Sequence, residues 1–266
     1  MGKVRAGIRK LEKLDVPFGE KAAAWATFLQ DLAEKKRWDV LRRVSKRHPD
    51  EFRAHPETWS AVGYALLLER REPEVVAWFR DWRERRDEMT AINLLNLAAA
   101  LDGTGDPDAA REVREEALGM FPSDDDAGNF RAGLAWSMAR AGEVEAAEAH
   151  LAEIEADRMM EFYEAVALLA RAMLAARRGD EEEAMEKLTQ GTDMLGDWKT
   201  PGSARNYVEG AAEVLAEHLA WAKGKRRKVL RKLAGNGGLT WGKHWWWILP
   251  GVWVIYQLVK AVASAS

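Results

Sequence analysis

Apolar residues recur along most of this chain at spacings of three and four, the period of one face of an α-helix. Trp25, Phe28, Leu29 and Leu32 mark the first such face and predict a helix over residues 20–34. A second helix, over residues 38–46, should end at His48-Pro49, because proline disfavours helix in the residue before it. The next pair is expected from 56 to 68, turning through Arg71-Glu72-Pro73 and returning through Val75, Val76, Trp78, Phe79 and Trp82. Further hairpins follow at 90–101 with 107–119, 127–141 with 143–156, and 161–177 with 180–195, and a more divergent one at 203–222 with 224–234. The pattern predicts an all-α chain built from antiparallel helical hairpins.

Three glycine–acid pairs punctuate this pattern. Gly105-Asp106, Gly142-Glu143 and Gly179-Asp180 recur at a fixed interval of 37 residues. Glycine can end a helix in the left-handed conformation, and the acid then caps or charges the start of the next helix. Small residues are paired across each turn: Ala98 with Ala110, Ala135 with Ala147, Ala172 with Ala184. A fixed period of this size is the mark of a stacked helical array, and such arrays hold other macromolecules.

In these residues the chain resembles the tetratricopeptide repeat family. Leu94, Leu97, Ala98 and Leu101 on one helix, Ala110 and Ala117 on the next and the closing Pro122 carry the best match, and Pro49 is a second closing proline. The period of 37 exceeds the family's, and the other hairpins lack the proline. The resemblance covers residues 20–234 and implies a right-handed α-solenoid whose concave face binds a peptide or helix of a protein partner. On the helix of residues 91–101 a second apolar stripe accompanies the first, and by the resemblance it points into that groove. The expected groove residues are Ile92, Asn93, Leu95 and Asn96, then Trp136, then Val166, Leu169 and Met173. In a tightly curled array the same side chains would instead pack between repeats. Of the family's carboxylate clamp only Asn96 is matched, so an acidic C-terminal peptide is not the expected ligand.

Charge changes the picture in the last fifth of the chain. The net charge of −3 divides into +4 over residues 1–88, −16 over 89–220 and +9 over 221–266. Residues 223–232 include Arg226, Arg227 and Lys228 and hold seven cations in ten positions. After a glycine-rich linker at 235–240 come Trp241, Trp245, Trp246, Trp247, Trp253 and Tyr256, with Gln257 and Lys260 as the polar interruptions. Four parts follow: a basic segment 1–19, the array 20–234, the linker, and a Trp-rich, helical tail 241–266. One reading of 223–263 is contact with a membrane or anionic lipid, the tryptophans at the interface and the basic cluster on the cytoplasmic face. Pro250, Gly251, Gln257 and Lys260 make full insertion marginal, so a shallow interfacial helix serves equally. The other reading is a soluble cytoplasmic subunit whose tail docks on its own or a neighbouring acidic array, which would make a homo-oligomer. Nucleic acid is not expected, because the acids of the array would repel phosphate.

Candidate chemistry adds little. His48, His55, His150, His218 and His244 are scattered, so no metal site is expected. Asp124-Asp125-Asp126 lacks the spacing of a calcium loop and reads as a helix N-terminus. Gly235-Asn236-Gly237-Gly238 has neither the strand nor the Lys-Ser/Thr of a phosphate loop. No nucleophile–base arrangement is present. The expectation is a non-enzymatic scaffold without a cofactor.

Overall fold

The computed structural model describes residues 2–35, 37–122, 124–154, 159–196 and 202–235. Among these residues the chain forms fourteen α-helices, one 3-10 turn and no strand. The fold is an all-α helical-repeat solenoid. Its first part comprises α1 (Gly2–Glu12), α2 (Phe18–Glu34), α3 (Trp38–Arg47), α4 (Pro49–Arg53), α5 (Pro56–Leu68) and α6 (Glu72–Trp78). α1 lies on α2, and α2 packs against α5. Pro49 stops α3 as its chemistry requires, then opens α4 at the first position, where its missing N–H is not needed.

α6 ends before the expected Phe79 and Trp82. The Trp59 indole N–H donates to the carbonyl of Trp78 (3.2 Å), and the Trp78 indole N–H donates back to the carbonyl of Trp59 (2.9 Å). With that carbonyl engaged, the amide of Trp82 turns to Phe79 (3.0 Å) and the chain tightens toward the 3-10 turn Arg86–Glu88.

Three hairpins then repeat: α7 (Ala91–Thr104) with α8 (Pro107–Met120), α9 (Asp124–Ala141) with α10 (Val144–Ala152), and α11 (Glu161–Arg178) with α12 (Glu181–Leu195). α9 begins at Asp124, three residues earlier than the apolar pattern, so the acids fall in its positively polarised first turn. The turns between partners are built alike. Gly105, Gly142 and Gly179 have φ of 83°, 90° and 79°, in the left-handed region. The amides of Asp106, Glu143 and Asp180 bond back to Leu101, Met138 and Ala175 at 3.0, 2.9 and 3.0 Å. These are the six-to-one bonds of a glycine-terminated helix. Asp106 and Asp180 then accept from the amides of Ala109 (3.2 Å) and Glu183 (3.0 Å) as N-caps. Glu143 makes no such cap; its carboxylate takes two bonds from Arg111, each 2.7 Å. The six alanines paired across these turns are all fully buried.

α13 (Gly202–His218) and α14 (Arg226–Gly235) follow. α13 packs on α11 and α12 as the next repeat should, but it also reaches α9 and α7. It thus lies along the face formed by the first helices of the three preceding hairpins.

Candidate protein-binding groove

The chain itself covers the groove residues expected from the sequence. Asn93, Val166, Leu169 and Met173 have no exposed surface, Leu95, Asn96 and Trp136 are buried, and Ile92 is half-buried. Two features close the face. The array curls tightly enough to bring the Tyr163 hydroxyl of α11 to 3.5 Å from the carbonyl of Leu95 on α7, with a whole hairpin between them in sequence. α13 then fills what remains. The Trp136 indole N–H donates to the carbonyl of Tyr207 (3.3 Å), and the two rings meet edge to face at 4.8 Å. At Gly210 a Cβ would stand 2.6 Å from the Trp136 ring, so only glycine lets α13 approach so closely. Leu169 points another way, against α12, where it bounds the space beside Gly191. The amide atoms of Asn93 and the Nδ2 of Asn96 have no hydrogen-bond partner among the described residues.

Beneath Tyr207 lies a polar cluster that periodicity did not single out. Arg114 of α8 is completely buried and forms an ion pair with Asp102 of α7. It also donates to the Tyr207 hydroxyl (2.8 Å) and reaches Ser137 Oγ (3.3 Å). Tyr207 in turn donates to Asp102 Oδ2 (3.1 Å). Burial alone would lower the basicity of Arg114, but its neighbours together, Asp102 foremost, outweigh it and hold the guanidinium more firmly charged than usual. Burial pushes the Tyr207 phenol well above its ordinary range, so the hydroxyl stays protonated and can donate. The guanidinium stands against α9 at Gly133, where a Cβ would overlap it. In the sequence Arg114 sits among Glu112, Glu115 and Glu116 and reads as one more solvated charge. The one signal was a glycine inside the otherwise strong helix of α9.

The basic C-terminal residues are also sorted by the fold. Arg226 is only partly exposed: it donates to Glu213 (2.6 Å) and lies 3.5 Å from Glu209, both on α13. Lys232 pairs with Glu181 of α12 (2.7 Å). Arg227 and Lys228 are exposed. Trp241, Trp245, Trp246, Trp247, Trp253, Tyr256 and Lys260 lie outside the described residues. Among the described residues no helix is long and apolar enough to cross a membrane, and no group of acids and histidines could hold a metal ion. A surface depression of about 560 Å³ beside α12 and α14 is lined by Glu181, Glu182, Glu186, Met185, Thr189, Gln190 and Lys232.

These features define a class: a helical-hairpin solenoid whose inner face holds a helix. Residues 91–210, from α7 to the middle of α13, match the model of the tetratrico peptide repeat family, to which this stretch is similar. No curated protein matches the chain.

Proposed function

We propose that the protein is a non-enzymatic interaction scaffold, whose repeat array binds a protein partner and whose basic, Trp-rich C-terminal segment holds it at the cytoplasmic face of a membrane. The observation that carries the scaffold reading is the repeat array of residues 91–210, with a helix seated along its inner face. α13 supports a preference for helices there: it places Gly210, Ala211 and Ala212 at close approach and a tyrosine hydroxyl over a buried ion pair. A partner helix would use the same surface, centred on Ile92, Asn93, Leu95, Asn96, Trp136, Val166 and Met173, by extending the packing at the Ile92 edge or by replacing α13. The membrane reading draws on composition, since residues 221–266 carry nine cations, no acid and five tryptophans after residue 240.

The test is co-sedimentation of the full chain with anionic vesicles, compared with a chain lacking residues 236–266. Binding by the full chain and release on deletion is the expected result; a full chain that stays in solution with every vesicle overturns the tether. One observation favours a second reading. Arg226 and Lys232 already engage acids of α13 and α12, so the basic end of the chain has affinity for the acidic array. In an assembly subunit the following tail would continue that docking, on its own or a neighbouring copy, and deleting 236–266 would change the oligomeric state in the absence of lipid.

A further inference from the structure

A second basic, apolar segment lies at the opposite end of the chain from the Trp-rich tail. Leu14 and Val16, 37% and 40% exposed, are the most exposed large apolar side chains among the described residues. Both lie in the connection between α1 and α2. The helix before them is basic and amphipathic: Val4, Ile8 and Leu11 form a stripe spaced by four and three, and Arg5, Arg9, Lys10 and Lys13 are exposed. Among the described residues none of these four cations has a carboxylate within ion-pair distance. The one acid of α1, Glu12, is committed elsewhere, to Arg47 (3.2 Å) and His48 (3.3 Å). Asp15 is the only exposed carboxylate within residues 2–17.

α1 is also held more loosely than the helices that follow. Val4, Ile8 and Leu11 are only partly buried. Its close approach to α2 is at Gly7, where a Cβ would meet the Phe28 ring at 3.1 Å. Exposed apolar side chains that follow a helix of unpaired cations do not by themselves make a surface for a folded partner, whose carboxylates would have to match scattered charges in register. An anionic bilayer meets the same layout without register, because phosphate lies everywhere on its surface and the apolar side chains can enter the headgroup boundary.

We propose that residues 4–17 are a second lipid contact, with Leu14 and Val16 entering the interface of an anionic membrane and Arg5, Arg9, Lys10 and Lys13 lying on its phosphates. This site borrows from the proposed membrane location only the choice of lipid, and it does not need the C-terminal tryptophans. Full-length protein is mixed with phosphatidylcholine vesicles with and without phosphatidylserine, and the partition coefficient is measured for three variants. These are Arg9→Gln/Lys10→Gln/Lys13→Gln, Leu14→Ser/Val16→Ser, and Trp245→Ser/Trp246→Ser/Trp247→Ser. At about fivefold per cation, the first should lower binding to the phosphatidylserine vesicles on the order of 100-fold. The second should lower it on the order of tenfold. The tryptophan variant should keep a binding component that depends on phosphatidylserine. Unchanged partition in the first two variants overturns the site, as does a change in self-association without a change in lipid binding. Loss of all binding in the tryptophan variant also overturns it and leaves the tail reading standing. Full binding in that variant, lost on adding the first, overturns the tail and keeps this site.

Discussion

Tyr207 joins three helices through one oxygen, and its neighbours show how a buried charge can be tolerated. The Arg114 guanidinium is desolvated completely, a cost of several kcal/mol offset only while Asp102 and the hydroxyl remain in place. Tyr207→Phe keeps the ring packing against Trp136 and removes the hydroxyl, and should cost about 1–3 kcal/mol in chemical denaturation. Arg114→Met leaves Asp102 buried without a counter-charge and should cost more, about 3–5 kcal/mol. The double variant Asp102→Leu/Arg114→Met should be less destabilised than Arg114→Met alone. If it is more destabilised, the pair itself is a source of stability rather than a means of fixing how α13 sits.

At the level of elements, the repeated glycine turn makes each hairpin close in the same way. Gly179 has φ 79° and no atom within 4 Å of where a Cβ would lie, so its requirement is backbone conformation alone. Gly179→Ala should therefore lose about 1–2 kcal/mol through left-handed strain. Gly119, inside α8 and equally uncrowded but without positive φ, should gain about 0.4–1 kcal/mol as alanine. Opposite shifts in thermal midpoint for the two variants would separate conformational need from simple lack of space. This beat was readable in the sequence because its bonds are local. The early end of α6 was not, because its cause is a pair of indole bonds between residues 19 apart.

Across the whole molecule, ion pairs run from each repeat to the next. Arg83 meets Glu116 (2.7 Å), Arg111 meets Glu143, and Arg178 meets Glu148 (3.2 Å). Exposed pairs like these contribute little to stability, so they select how repeats align more than they hold the array together. His150 carries a clearer dependence on pH. Burial, followed by the nearby Arg131 charge, holds its imidazole below the ordinary value of 6.5. The folded state then binds this proton less readily than the unfolded chain, so its stability falls as pH drops through 6.5 toward the lowered folded value. The urea midpoint of the native protein should decline across that window, and His150→Gln should remove part of the decline. An identical pH profile in the variant would assign the effect to other groups.

The residues alone determined the helical class, the hairpin order and the positions of the three glycine turns. Those depend on periodicity, on φ and on bonds that span at most six residues. The second apolar stripe on α7 was legible too, as more apolar surface than one side of packing could use. What lies on that face was decided only in three dimensions. Curvature brought Tyr163 of α11 to the α7 backbone, and α13 crossed to place Tyr207 over Asp102 and Arg114. No local pattern carries that information, because a buried arginine and a solvated one are spelled alike until the opposing helix, here with Gly133 and Tyr207, is set against it.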